Sequence, residues 1–144
     1  IGKMKNTSGK GSICPTDADI GWYINLATNE KVTGKIAIHN ESLFVSRYTP
    51  NKTNICNPGT NLLSEHGYGC GKAEKETKLG TGILTGAVVY KGQIYIGISG
   101  VPSSSSGTPA AGFSQHGNII IGKPSKSSST GGTVVTQESW RELF

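Results

Sequence analysis

The sequence predicts an all-β fold: a partial β-propeller of two to three blade-like antiparallel hairpin units, carrying long Gly/Ser-rich loops. Three observations lead there. The 144 residues include 21 glycines and 16 serines, and only 34% are hydrophobic. Glycine costs roughly 1 kcal/mol per helix position relative to alanine, so this composition disfavours a helix bundle. The apolar residues that remain sit in short β-branched and aromatic runs bounded by turn formers. One hairpin pattern also recurs. Val32-Thr33-Gly34-Lys35-Ile36-Ala37-Ile38, a turn and Leu43-Phe44-Val45 lie over Leu84-Thr85-Gly86-Ala87-Val88-Val89-Tyr90, a turn and Ile94-Tyr95-Ile96. The two halves repeat at offsets of 52 and 51, a difference assigned to one residue in the turn. A period near fifty residues is that of propeller blades.

In chain order, residues 1–19 are polar, rich in Gly, Lys and Ser, and read as a linker. Gly21 to Leu26 is strand-like, and Ala27-Thr28-Asn29-Glu30 is a turn signal. Lys31 to Ile38 and Ser42 to Tyr48 are extended runs joined at His39-Asn40-Glu41. Residues 49–80 read as a long insert between the two blade-like units of residues 20–100. A loop of that length in a compact domain is usually functional or specially stapled. The clearest hairpin is Gly82 to Tyr90, a turn at Lys91-Gly92, and Gln93 to Ser99. Residues 101–144 follow as Ser/Gly-rich loops, with short strands at Gly117 to Gly122 and Gly132 to Gln137 and a C-terminal tail ending in Trp140-Arg141-Glu142-Leu143-Phe144.

Several function classes fall away on composition. No apolar run approaches the ~20 residues of a membrane helix, so no transmembrane segment is expected. The chain opens on Ile1 without a leader pattern, which reads as a processed or excised piece. Net charge is +5, but the lysines are scattered among glycines and serines, and the only arginines are Arg47 and Arg141. Nucleic-acid readers cluster such charge and interleave aromatics, so no nucleic-acid partner is expected.

Three cysteines are present. Cys56 and Cys70 bracket a 15-residue segment, Cys56-Asn57-Pro58-Gly59 through Gly67-Tyr68-Gly69-Cys70. A disulfide closing such a loop is worth about 3 kcal/mol. Cys14 is left over, free to pair with either of them or with chain outside this sequence; reduced thiols are the other reading. Zinc-site spacing is absent, since no two cysteines lie two to four residues apart.

Catalytic groups are sparse. His39 lies at a hairpin turn, His66 in the cysteine loop and His116 in a glycine-flanked loop, each read as a solvated side chain. Ser64-Glu65-His66 holds the residue types of a triad, but a triad depends on spatial arrangement and adjacent loop residues do not supply it. Gly80-Thr81-Gly82 and Gly69-Cys70-Gly71 lack the strand-then-helix setting of a phosphate loop. Trp22 and Trp140 read as packing anchors. Recognition is better served by the 49–80 insert, with Tyr48, Asn61, Leu62, Leu63, His66 and Tyr68, because loops on a rigid scaffold commonly carry binding.

Gly21-Trp22-Tyr23-Ile24-Asn25-Leu26, Glu30-Lys31-Val32, Tyr48-Thr49-Pro50 and Cys56-Asn57-Pro58-Gly59 fall in the order seen in the PilC/PilY family, the tip-associated proteins of bacterial type IV pili. Gly82-Ile83-Leu84-Thr85-Gly86 and Ser139-Trp140-Arg141-Glu142-Leu143 resemble the family's C-terminal end. The resemblance covers about residues 20–100 and 138–144. It implies the C-terminal β-propeller region of a secreted, non-enzymatic protein acting in pilus assembly and adhesion, exported through the periplasm to the cell surface. Its partners would be the remainder of the propeller, other pilus proteins, and a host or abiotic surface. In that oxidising setting Cys56 and Cys70 are expected to be joined. Departures limit the carry-over. The family's von Willebrand A-like region is absent, no Arg-Gly-Asp occurs, and Asp17-Ala18-Asp19 is followed at the next alternate position by Gly21, which offers no side-chain oxygen to calcium. No catalytic, metal or cofactor-binding residue is therefore expected in this segment. The rival classes are a structural subunit of an extracellular assembly without its own ligand, and a fragment of a quinone-cofactor propeller enzyme.

Overall fold

The computed structural model describes residues 2–8, 12–54, 56, 58–100 and 110–125. The strand expected at Gly132 to Gln137, the C-terminal tail and most of the 101–114 linker lie outside the described residues. What is described is all-β, with no helix. β1 (Lys3–Asn6) pairs in parallel with β2 (Asp19–Tyr23), so the N-terminal segment contributes a strand where a linker was expected.

A five-stranded sheet follows. β3 (Lys31–Val32) and β4 (Ala37–His39) both pair with β5 (Ser42–Thr49), which pairs with β6 (Thr60–Gly67), which pairs with β7 (Ala73–Thr81). The run Lys31 to Ile38 thus forms two short strands. It breaks at Thr33, whose amide donates to Ser46 O at 3.0 Å.

The reading of residues 49–80 as a loop insert is overturned. β6 lies between β5 and β7 and is buried at six of its eight positions. Its polar residues hide the strand in the sequence, yet the buried ones, Asn61, Ser64, Glu65 and His66, find partners. Asn61 accepts from Leu79 N and donates to Gly82 O, and the Glu65 carboxylate accepts from Ser125 N. Buried polar groups are tolerated when hydrogen-bonded in this way.

The second sheet runs in the order β10 (Phe113–His116), β11 (Ile119–Gly122), β9 (Gln93–Gly97), β8 (Val88–Tyr90). It is antiparallel throughout but not a simple meander, because β11 rather than β10 lies beside β9. Phe44, Leu63 and Leu79 of the first sheet join Ile94, Ile96, Ile98 and Ile120 of the second in one core. The described sheets do not close into a barrel or a propeller.

The two hairpins noticed in the sequence correspond in three dimensions. Each turn has two residues with positive φ, Asn40 (47°) and Glu41 (61°) in one, Lys91 (48°) and Gly92 (72°) in the other. Such turns match the natural twist of a hairpin. Thr33 N donates to Ser46 O, and Thr85 N donates to Gly97 O. The one-residue difference in spacing therefore falls not in the turn but before it, between Thr33 and His39. Their packing is of opposite faces. Directly paired residues in a sheet share a face. Phe44 and Ser46 of β5 point at the second sheet, where Ser46 Oγ donates to Thr85 O at 2.8 Å. The second hairpin answers with Ile94, Ile96 and Ile98, which correspond to Leu43, Val45 and Arg47 on the other face of β5.

Candidate functional site at the disulfide-stapled turn

Two turns meet at one end of the first sheet. The β4–β5 turn, Asn40-Glu41, accepts at Glu41 O from Tyr68 N of the β6–β7 turn, at 2.7 Å. The β6–β7 turn is closed by Gly71 N donating to Gly67 O and Gly67 N donating to Lys72 O. Gly71 has a φ of +70°, and the Trp22 ring lies where a Cβ would stand, so glycine is required twice over. Trp22 Nε1 donates to Tyr68 O at 2.9 Å, bringing the N-terminal segment onto the turn.

A disulfide completes the staple, and it is not the expected one. Cys70 is bonded to Cys14, with Cα atoms 4.7 Å apart, and Cys56 is a free, exposed thiol. The expected Cys56–Cys70 pairing is corrected for a physical reason. β6 runs between these residues, and eight extended residues span roughly 25 Å, whereas disulfide Cα atoms lie within about 7 Å. Nothing near Cys14 in the sequence signals its partner; the odd cysteine count is the only hint.

Around the staple is a shallow depression of about 500 Å³ lined by Cys14, Glu41, Gly67, Tyr68, Gly69, Cys70 and Glu74. Tyr68 is 58% exposed and stands beside it. Of the residues expected to bind from the 49–80 segment, Tyr68 is the one presented. Asn61, Leu63 and His66 are buried, and Tyr48 and Leu62 are half-buried.

Behind the turn lies a buried polar layer. Ser64 and His66 alternate on one face of β6, so an i, i+2 spacing on a strand joins what a loop would not. His66 Nε2 is 2.9 Å from Ser64 Oγ, and His66 Nδ1 is 2.9 Å from Gly71 O. Because Gly71 O only accepts, Nδ1 carries the proton and Nε2 accepts from the hydroxyl. Burial is the main cause lowering the His66 pKa below its ordinary value, which favours this neutral form. The pair resembles a nucleophile and base, but Ser64 is wholly buried and His66 is 3% exposed. Shielded from solvent, it ties the stapled turn to the sheet. Arg47, on the same face, donates to Glu30 at 3.2 Å and to Glu76.

The remaining titratable groups stand apart. His39 ends β4 and His116 ends β10. Asp19 accepts from Thr16 N and Oγ1, and these bonds hold its carboxyl below the ordinary range. Among the described residues, no three His, Cys, Asp or Glu side chains gather as a metal site, and no helix is long and apolar enough to cross a membrane.

Comparison with protein-family models, curated proteins and solved structures finds no match. The stapled turn presents an exposed aromatic ring, Tyr68, and the carboxylates of Glu41 and Glu74 around the shallow depression.

Proposed function

We propose that this chain is part of a secreted type IV pilus tip-associated protein of the PilC/PilY kind, acting without catalysis in pilus assembly and in adhesion to a host or abiotic surface. The observation that carries the reading is the ordered series of matches from Gly21-Trp22-Tyr23-Ile24-Asn25-Leu26 through Cys56-Asn57-Pro58-Gly59 to Gly82-Ile83-Leu84-Thr85-Gly86, closed by Ser139-Trp140-Arg141-Glu142-Leu143. The Cys14–Cys70 bond supports an oxidising, extracellular setting, since cytosolic thiols stay reduced. Burial of Ser64 and His66 away from solvent supports a binding role over a catalytic one.

The finer architecture is a partial propeller. Two hairpins of the same type that pack opposite faces support it, because consecutive blades stack that way. The partners are then the rest of the propeller and other pilus proteins, and the stapled turn with Tyr68 and Glu41 is the surface offered to them.

The test is retention of purified type IV pili on the immobilised chain. Saturable retention is expected, weakened at least several-fold by Tyr68→Ala combined with Glu41→Ala. Pili that pass unretained would overturn the assignment. A quinone absorbance in the purified protein, or dye-linked oxidation of alcohols, would overturn the non-enzymatic part.

A further inference from the structure

We propose that Asn51 is a glycosylation acceptor, taking an oligosaccharide on its side-chain amide as the chain is exported. The inference goes beyond the pilus reading and needs only the oxidising, extracellular setting that the Cys14–Cys70 bond supports.

Asn-x-Ser/Thr, with any residue but proline between, is the acceptor pattern for such transfer, and it calls for a surface loop. The pattern occurs three times, at Asn6-Thr7-Ser8, Asn40-Glu41-Ser42 and Asn51-Lys52-Thr53. So short a pattern also arises by chance, and placement in the fold decides between the three. Two fail. Asn40 Nδ2 is buried without a partner among the described residues, and Ser42 is 0% exposed. Asn6 pairs with Tyr23 in the N-terminal ribbon, Thr7 is 2% exposed with its amide bonded to Tyr23 O, and Ser8 Oγ accepts from Asn25 N. That tripeptide is woven into the ribbon and cannot leave it to meet a transferase.

Asn51 passes. It follows Pro50 in the connection between β5 and β6, outside any strand, and Lys52, Thr53 and Asn54 are exposed. Its Oδ1 accepts from Thr53 N at 3.0 Å, Thr53 Oγ1 at 2.9 Å and Asn54 N at 3.3 Å. The amide and the hydroxyl that define the pattern are thus already in contact. These three bonds all fall on the amide oxygen and leave Nδ2 for the new bond. The donor is a lipid-pyrophosphate-linked oligosaccharide. Asn51 Nδ2 bonds to the anomeric carbon of its first sugar, and the bond from that carbon to the pyrophosphate oxygen breaks. The lipid pyrophosphate leaves with the electron pair, and the amide nitrogen gives up one proton. The product is bulky, polar and suited to a surface position. Tyr68 lies at the other end of β5 and β6, and eight extended residues span roughly 25 Å, so the glycan leaves the stapled turn open.

The test is peptide mapping by mass spectrometry of the protein exported by its native cells. The peptide holding Asn51 is expected to carry sugar in most chains, with fragment spectra placing it on Asn51, and the Asn6 and Asn40 peptides to carry none. Asn51→Gln and Thr53→Ala should each abolish the added mass. Thr53→Ser, which keeps the hydroxyl, should retain it and so separates loss of the acceptor pattern from loss of the loop. An Asn51 peptide recovered without sugar would overturn the proposal. So would sugar on Asn6 or Asn40 in its place, or added mass that survives Thr53→Ala. Retention of pili is a separate readout, so either proposal can fail alone.

Discussion

Gly34 and Gly86, the equivalent glycines of the two Thr-Gly steps, meet backbone to backbone, with Gly86 N and Cα where a Gly34 Cβ would stand. This close approach of the two backbones leaves no room for a side chain at either position.

Alanine at either glycine should therefore be costly. A Cβ on Gly86 would come 2.8 Å from Lys35 N, and backbone cannot swing aside as a side chain can. Overpacking of this kind costs about 1–3 kcal/mol. Thermal melting should show Gly34→Ala and Gly86→Ala several degrees below the parent. Gly69→Ala, where a Cβ meets nothing within 4 Å, should stay within about 0.5 kcal/mol. Equal melting of all three would mean the contact between the two Thr-Gly steps is not tight.

The staple should reveal itself by chemistry and by stability. Non-reducing peptide mapping should recover a Cys14–Cys70 fragment, and a maleimide should label Cys56 alone in the native protein. A cross-link spanning 56 residues stabilises by about 4 kcal/mol in the chain-entropy treatment. Cys14→Ser should lose much of that in urea unfolding, and Cys56→Ser almost none. A linked Cys56 peptide would contradict this arrangement.

Acid should weaken the fold through His66. Its folded pKa is lowered by burial, while an unfolded histidine titrates near 6.5. Between those values the unfolded chain binds more protons, so stability is complete above about pH 6.5 and declines as pH falls through that value toward the folded pKa. The urea midpoint, followed from pH 8 to pH 5, should drop in this window. His66→Gln should flatten the drop while lowering the midpoint at pH 7.5. A parent midpoint that is flat with pH would remove His66 from the account.

What the sequence disclosed follows from which signals are local. The hairpins at residues 32–48 and 83–99 announce themselves by β-branched runs around short turns, and both are present. β6 does not. Thr60 to Gly67 has no clean alternation of apolar and polar residues, because Asn61, Ser64 and Glu65 are buried on hydrogen bonds made to distant residues and His66 on bonds to Ser64 and across the turn to Gly71. The same blindness hid the site. Tyr68 lies in the segment singled out for binding, but the approach of Glu41, Trp22 and Cys14 to it is a tertiary fact with no local pattern.

Arg47 gives the sharpest test of the buried polar layer. Its side chain is 9% exposed, it lies between Glu30, 7% exposed, and Glu76, 49% exposed, and its Nε has no partner among the described residues. Removing the guanidinium strands the Glu30 carboxylate in the interior, a loss of about 3–5 kcal/mol for a buried pair broken on one side. Removing Glu76 strands nothing, because that carboxylate already faces water, and exposed partners contribute about 1 kcal/mol or less. Arg47→Met should thus lower the urea midpoint far more than Glu76→Gln. Adding Glu30→Gln to Arg47→Met should restore much of the loss, since the uncompensated charge is then gone. Glu30 also accepts from Ala27 N, and a glutamine oxygen can keep that bond. A double variant no more stable than Arg47→Met alone would show that Arg47 acts through its packed stem, not through its charge.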